Sequence, residues 1–162
     1  MTTKVGFIEA ASHALQNGPQ LFARVEDGGV VIGGGGGEVV PDSTGLYAVV
    51  AQDPDAVRAE LRLDTSVSRS DVLYIGKAEG SLRARLERKH FAGGGTAHST
   101  LRRTLAALLV DRLDLEPVAV ASAGRFSLTP ESGEQLTTWM RRHLAVRVWQ
   151  TPAGFAEVTP LG

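Results

Sequence analysis

The sequence contains no cysteine, which excludes disulfide bonds and zinc sites built from thiolates. No run approaches the roughly 18 consecutive apolar residues that a membrane-spanning helix needs. The N-terminus carries Lys4 but no apolar stretch of signal-peptide length. These absences predict a soluble, cytoplasmic protein that makes no membrane contact. Its 162 residues are enough for one domain with a substantial core.

The chain also lacks a large net charge, since the formal value is −1 at pH 7. This argues against a protein that coats nucleic acid generally. From Lys77 to Arg103, however, seven basic residues stand against two acidic ones, which leaves −6 for the rest of the chain. Such a local excess predicts one polyanion-binding surface, the alternative being two solvated amphipathic helices. The candidate nucleic-acid-binding residues are Arg83, Arg88, Lys89, His98, Arg102 and Arg103.

Residues 1–40 are predicted to be an accessory segment that precedes a domain over residues 41–162. Within it, residues 7–15 favour a short helix, which Asn17-Gly18-Pro19 ends. Five consecutive glycines at 33–37 cannot hold regular structure cheaply. No Lys-Ser/Thr pair follows them, so a phosphate-binding loop is excluded and a hairpin tip or linker is predicted.

The remaining sequence predicts short strands with helices clustered around them. Strands are expected at 45–51, 71–76, 117–122, 125–128 and 145–151, and helices at 54–61, 82–91, from Ser99 or Thr100 onward, and from Pro130 to about Leu144. The third helix carries a leucine stripe that is expected to be buried, namely Leu101, Leu105, Leu108 and Leu109. The pattern predicts an α+β fold with a small, mostly antiparallel sheet flanked by helices.

Two of the predicted strands carry related signatures, Gly45-Leu46-Tyr47 and Tyr74-Ile75-Gly76, which contain the only tyrosines of the chain. Further motifs follow in order: Lys77-Ala78, Leu82-Arg83-Ala84-Arg85, His90-Phe91, His98-Ser99-Thr100 and, on a later helix, Glu134. This arrangement resembles the GIY-YIG nuclease family, which includes excision-repair incision subunits, homing endonucleases and some restriction enzymes. The resemblance covers about residues 45–144. It implies a GIY-YIG-like nuclease domain and an endonuclease that hydrolyses phosphodiester bonds of DNA.

Phosphodiester hydrolysis needs an activated water, stabilised charge on the phosphate, and a leaving oxygen that is protonated or bound to metal. Glu134 is the candidate ligand for Mg²⁺ or Mn²⁺, although a carboxylate near a helix N-terminus is also favourable without any metal. Arg85 can make a forked contact to the phosphate, and Arg83 is its rival.

The resemblance also implies roles for the two tyrosines and for the basic residues beside them. Their hydroxyls would point into the site, with Tyr47 near the attacking water and Tyr74 beside it. Lys77 would lower the hydroxyl pKa and ease deprotonation. His90 would act as a second base or as a phosphate ligand.

One departure from the family concerns the spacing between the catalytic arginine and the His or Tyr that follows it. Relatives place them four residues apart, whereas Arg85 and His90 are five apart, about 140° of rotation in a regular helix. Either the helix bulges after Arg85, so that the two residues share a face, or Lys89 takes the usual His/Tyr place. Absorbing the extra residue at Gly80-Ser81 would leave Leu86 in the arginine's place, which favours the bulge.

Two other departures are an inserted segment at 52–70 and the lack of the asparagine that often follows the glutamate. Asn17 is the only asparagine, and Gln150 is a stand-in unless the polypeptide is truncated after Gly162. The alternatives to a nuclease are a nucleic-acid-binding module with weak or lost cleavage and a protein-interaction domain that binds acidic partners. The chain shows no sequence-reading module, so specificity is expected from a homodimer, a partner protein, or residues 1–40 and 52–70.

Overall fold

The computed structural model describes residues 21–26, 29–32, 40–64, 71–93, 95–121 and 124–150. The helix expected at 7–15 and the glycine run at 33–37 lie outside these residues. The strands in the described ranges are β1 (Leu21–Glu26), β2 (Gly29–Ile32), β3 (Gly45–Ala51), β4 (Val72–Ala78), β5 (Pro117–Ala119), β6 (Phe126–Leu128) and β7 (Leu144–Gln150).

Five of the strands form one antiparallel sheet in the order β2-β1-β7-β3-β4. Strands β5 and β6 pair separately as a short antiparallel ribbon. β1 pairs with β7, so two strands from the segment predicted to be accessory extend the same sheet that carries the tyrosine signatures. The predicted α+β fold with a small antiparallel sheet is confirmed.

Three α-helices begin where side chains cap them, as the sequence predicts. The helices are α1 (Pro54–Leu61), α2 (Thr100–Leu109) and α3 (Pro130–His143). The side chains of Asp53, Ser99 and Thr129 each accept a hydrogen bond from a backbone N–H in the first turn, which satisfies donors that a helix start leaves open. These caps fix the residues at which the three helices begin.

The core lies between one face of the sheet and the helices. The expectation that the whole leucine stripe of α2 is buried there is wrong for one residue. Leu101, Leu105 and Leu109 are buried, but Leu108 is 42% exposed. The buried face of α2 is centred on Leu105 and Leu109 and also includes Arg102 and Ala106. At 100° per residue, this centring places Leu108 at the rim of the face.

Candidate active site

The two tyrosine signatures meet across the β3–β4 strand pair. Tyr47 stands opposite Gly76, and Tyr74 lies on the same face of the sheet, two residues before Gly76. A Cβ atom on Gly76 would overlap the phenol ring and hydroxyl of Tyr47. Glycine at this position therefore makes room for Tyr47, which is fully buried. The rings of Tyr47 and Tyr74 have centroids 6.2 Å apart.

The helix after β4 contains the predicted bulge. Residues 84–90 form a π-helix, Ala84–His90, and the N–H of Phe91 donates to the carbonyl of Leu86 at 2.9 Å, an i→i+5 bond. This pattern brings residues five apart almost into line, and His90 faces both tyrosine rings, with centroids 5.4 Å from Tyr47 and 6.0 Å from Tyr74. Lys89 is exposed instead. His90, and not Lys89, therefore lies with the tyrosines.

His90 bridges a buried tyrosine and a buried serine. Its Nε2 is 2.6 Å from the Tyr47 hydroxyl, and its Nδ1 is 2.8 Å from Oγ of Ser99. The sequence marks Ser99 as a cap of α2 and as part of the motif His98-Ser99-Thr100 but gives it no role in the site, because its approach to His90 depends on how the chain folds back between them. Ser99 is a site residue that sequence reasoning missed.

The electrostatic environment of Tyr47 differs from the one expected. Burial raises the pKa of Tyr47 above its ordinary range, Tyr74 raises it further, and Arg85 opposes both. The expectation that Lys77 lowers this pKa is wrong. The Lys77 side chain is 57% exposed and is paired with Glu79, whereas the cation that acts on the buried hydroxyl is Arg85.

The environment of His90 favours its neutral form. Burial lowers the pKa of His90 to about 4, and the positive charges of Arg85, Arg102 and Lys89 act in the same direction. The imidazole is therefore uncharged near neutral pH and can offer one donor and one acceptor nitrogen.

This pKa predicts a pH dependence of stability. The unfolded chain binds a proton at His90 below about pH 6.5, but the folded chain does so only near pH 4, so stability present above pH 6.5 is lost as the pH falls between these values. The expected loss is on the order of 3 kcal/mol. Urea denaturation between pH 7 and 4 measures it. His90→Gln should flatten the profile by about this amount, and an equally steep profile in that variant would contradict the assignment.

Arg85 presents an unused donor at this site. It is half-buried, and its Nε is buried without a hydrogen-bond partner among the described residues. Arg85 also lines a groove together with Lys77 and Lys89. Its rival Arg83 is engaged elsewhere, since Nε of Arg83 donates to the carbonyl of Val40 at 2.9 Å. The structure thus places Arg85 beside the tyrosines.

Arg102 does not lie on the nucleic-acid-binding surface as expected, because its side chain is fully buried. The guanidinium donates to the carbonyls of His90 at 2.9 Å and Gly133 at 3.0 Å, and to the hydroxyl of Thr137 at 3.0 Å. Burial lowers the pKa of Arg102 to about 10. Arg102 therefore ties the end of the π-helix to the first turns of α3.

Glu134 lies against the loop that follows His90. It is an exposed residue of α3, and a Cβ on Gly93 would overlap its carboxylate. The carboxylate therefore rests on Gly93, three residues beyond His90. Tyr47, Tyr74, Arg85 and His90 lie together, whereas Glu134 lines a different groove from Arg85 and is linked to the end of the π-helix through Gly93.

The donor set at Glu134 suits a hard divalent cation that is bound mainly by water and substrate. Within the described ranges, no cluster of three or more metal-ligating side chains occurs. Mg²⁺ keeps several waters and is often bound through one or two carboxylates and substrate phosphates. One exposed carboxylate cradled by a glycine fits a site of this kind.

A second groove lies next to the one at Arg85, and both are basic. It is lined by Arg88, Lys89, His98, Arg103 and Arg125, together with Gly95 and Thr100. Lys89 lines both grooves. Arg125 was not anticipated, because it stands 22 residues after Arg103 and only the fold brings them together.

Gln150, the candidate for the missing asparagine, ends β7 opposite Gly45.

Among the described helices, none is both long enough and apolar enough to cross a membrane.

A family model described as the GIY-YIG catalytic domain matches residues 45–154. No curated protein and no solved structure matches the chain. The matched range contains the β3–β4 tyrosine pair, the π-helix and Glu134. The chain therefore belongs to the GIY-YIG family of nucleases, whose catalytic domain residues 45–154 match.

Proposed function

We propose that the protein is an endonuclease that hydrolyses phosphodiester bonds of DNA with the help of Mg²⁺ or Mn²⁺. The observation that carries this proposal is the convergence of Tyr47, Tyr74, Arg85 and His90 next to a basic groove. Such a site combines the Tyr47 hydroxyl, which His90 holds in place, the Arg85 guanidinium, which can bind an anion, and a basic groove that a polyanion can enter. These are elements that phosphodiester hydrolysis requires.

Arg85 is the group that would bind the scissile phosphate. Its buried Nε has no hydrogen-bond partner among the described residues, and buried donors in native proteins are almost always satisfied. A phosphate oxygen would satisfy this donor and accept a charge-assisted hydrogen bond. Because negative charge grows on the phosphate oxygens as water attacks, the contact strengthens in the transition state.

Tyr47 would position and relay protons for the attacking water. In the proposed step, a water proton passes to the Tyr47 oxygen while the hydroxyl proton of Tyr47 passes to the oxygen of the neighbouring, partly buried Tyr74, whose own proton goes to solvent. The water oxygen forms a bond to phosphorus, the bond from phosphorus to the leaving oxygen breaks, and that oxygen takes up a proton from solvent. His90, 2.6 Å from the Tyr47 hydroxyl, holds it in place throughout.

Glu134 is the residue that would hold the divalent ion. When bound, the ion supplies positive charge for the oxygen that departs. Gly93 leaves room for the carboxylate, and Arg102 fixes the backbone on both sides of it through the carbonyls of His90 and Gly133. The helix and the loop that present Glu134 are thereby held rigidly.

The DNA backbone would follow the two adjoining grooves. Lys77 and Arg85 line the first, Arg88, His98, Arg103 and Arg125 line the second, and Lys89 stands between them. Cations that neutralise phosphates release counterions, so affinity should fall steeply with salt. Arg102 is left out because it is buried, and Arg83 because its Nε bonds the carbonyl of Val40.

Cleavage of supercoiled plasmid in the presence of Mg²⁺ or Mn²⁺ tests this function. Nicked or linear product that appears with the ion and disappears with a chelator is expected. DNA binding without any product would instead indicate the binding module that the missing asparagine suggests. Absence of salt-dependent DNA binding would overturn both functions.

Arg85→Ala is expected to weaken both DNA binding and cleavage. Loss of a charge-assisted contact costs about 1.5–3 kcal/mol, which corresponds to roughly 10- to 150-fold in affinity. Fluorescence anisotropy with a labelled duplex measures binding, and the plasmid assay measures cleavage. The control is Arg112→Ala, which removes an exposed arginine paired with Glu60. Equal affinities for the two variants would remove Arg85 from the phosphate site.

A further inference from the structure

The imidazole of His90 forms hydrogen bonds with two hydroxyl groups, those of Tyr47 and Ser99. The tautomer of His90 decides which hydroxyl donates and which accepts. A neutral imidazole has one donor nitrogen and one acceptor nitrogen. Tyr47 contacts Nε2 at 2.6 Å and Ser99 contacts Nδ1 at 2.8 Å. Only one of the two hydroxyls can therefore donate its hydrogen to His90, and the other must accept from it.

Within the described part of the chain, His90 is the only acceptor that bonds the Ser99 hydroxyl. Its side chain is almost completely buried, and the second group that bonds its Oγ is the N–H of Arg102 at 3.1 Å, which is itself a donor. If Nδ1 carried the proton, Oγ of Ser99 would face two donors and its own hydrogen would be left unpaired. A buried unpaired donor is costly.

Tyr47 lies beside a second hydroxyl-bearing side chain, that of Tyr74. The two rings have centroids 6.2 Å apart, and Tyr74 is only partly buried. Burial, and after it the nearby Tyr74, raises the pKa of Tyr47, so Tyr47 keeps a hydroxyl hydrogen that it can direct toward Tyr74. Of the two hydroxyls, the one that can send its hydrogen away from His90 is therefore Tyr47.

We propose that Ser99 is a positioning residue that holds His90 as the Nε2–H tautomer, so that His90 donates a hydrogen bond to Tyr47 and does not receive its proton. The hydrogen bonds then run in one direction, from the N–H of Arg102 through Ser99 and His90 to the oxygen of Tyr47. In a chain of this kind each bond polarises the next.

The consequence for the reaction rests on the proposed function. A donor at Nε2 stabilises negative charge on the Tyr47 oxygen while the tyrosine exchanges protons. The role as a second base that the sequence suggested for His90 is then excluded, because Nε2 is already protonated. The start of α2 is thereby coupled to the reacting hydroxyl through one serine side chain.

The tautomer can be read directly, without any activity measurement. Long-range ¹H–¹⁵N correlation spectra of the ¹⁵N-labelled full-length protein at pH 7 distinguish protonated from unprotonated ring nitrogens, and the spectrum of His90→Gln assigns the His90 signals. We expect protonated Nε2 and unprotonated Nδ1 in the wild-type protein. Protonated Nδ1 would overturn the proposal.

Two variants that both preserve the helix cap test the part played by Ser99. Threonine keeps the hydroxyl donor, whereas aspartate only accepts, and both are good N-caps. Ser99→Thr should retain the wild-type tautomer, and Ser99→Asp should move the proton to Nδ1. An unchanged tautomer in a folded Ser99→Asp protein, or a changed one in Ser99→Thr, would show that Ser99 does not set it.

Cleavage assays separate this proposal from the proposed function. Ser99→Ala is expected to lower kcat about 5- to 10-fold with little change in KM, which corresponds to the loss of one hydrogen bond, and Ser99→Thr should cleave nearly as the wild type does. An unchanged kcat in Ser99→Ala would contradict a part in catalysis. A wild-type protein that shows the expected tautomer but does not cleave DNA would overturn the proposed function and leave the assignment of Ser99 intact.

Discussion

Glu134→Gln is expected to abolish DNA cleavage and to leave DNA binding almost unchanged. The amide keeps the shape of the carboxylate and its place on Gly93, but it removes the charge that would hold the divalent ion. A metal ion that stabilises the leaving oxygen contributes several kcal/mol, so kcat should fall by roughly 10²- to 10⁴-fold. Plasmid cleavage and duplex anisotropy, measured on the same preparation, test the two halves of this expectation.

Glu131→Gln is the matched control for this change. Glu131 is exposed, lies three residues earlier on α3 and lines the same groove as Glu134, and the atoms nearest to a Cβ on Gly93 belong to Glu134. Its variant should cleave at the wild-type rate. Undiminished cleavage by Glu134→Gln, or an equal loss in both variants, would mean that another residue holds the ion.

Gly93→Ala provides a second approach to the same carboxylate. The added Cβ would overlap the end of the flexible Glu134 side chain, which can move aside at little cost to the fold. Cleavage should therefore fall while the free energy of unfolding changes little. Full activity in this variant would contradict the claim that the position of the carboxylate on Gly93 matters.

Arg102→Met is expected to reduce the free energy of unfolding by about 3–5 kcal/mol, which is a large part of the stability of a typical domain. The change leaves the carbonyls of His90 and Gly133 and the hydroxyl of Thr137 without their common donor. Each buried acceptor that loses its partner costs about 1–3 kcal/mol, although such costs are not additive. Urea denaturation followed by tryptophan fluorescence measures the loss.

The neighbouring Arg103→Met is the control. Arg103 is only half-buried, and its guanidinium bonds the carbonyl of Ala97 and the hydroxyl of Thr100 near the surface. Its loss should cost no more than about 1.5 kcal/mol. Similar stabilities for the two variants would contradict the assignment of Arg102 as the link between the π-helix and α3.

Sequence and structure agree most closely at features that depend on neighbouring residues. Caps at Asp53, Ser99 and Thr129 predict helix starts because the capping side chain and its N–H partner lie three residues apart. The π-helix was predictable for a related reason. A spacing of five from Arg85 to His90 leaves only an i→i+5 turn if both side chains are to share a face.

The errors concern residues whose role depends on partners distant in the chain. Arg102 and Arg103 are adjacent and chemically identical, yet one is buried in a network and the other lines the basic groove. Charge alone cannot separate them, because the difference arises from the rotation of α2 against α3. The same rotation exposes Leu108 and brings Arg102 inward. Lys77 was assigned an influence on Tyr47 that belongs to Arg85.

The sequence by itself determined the class of fold, the tyrosine pair, the bulged helix and the family, because these follow from local spacing and from motifs in a fixed order. Only the tertiary structure decided that Ser99 bonds His90, that Glu134 rests on Gly93 and that Arg125 joins the basic groove. The physical reason is that hydrogen-bond direction, burial and charge depend on which groups from separate elements come within a few ångströms of one another. Packing of the helices against the sheet sets those distances, and no pattern along the chain encodes them locally.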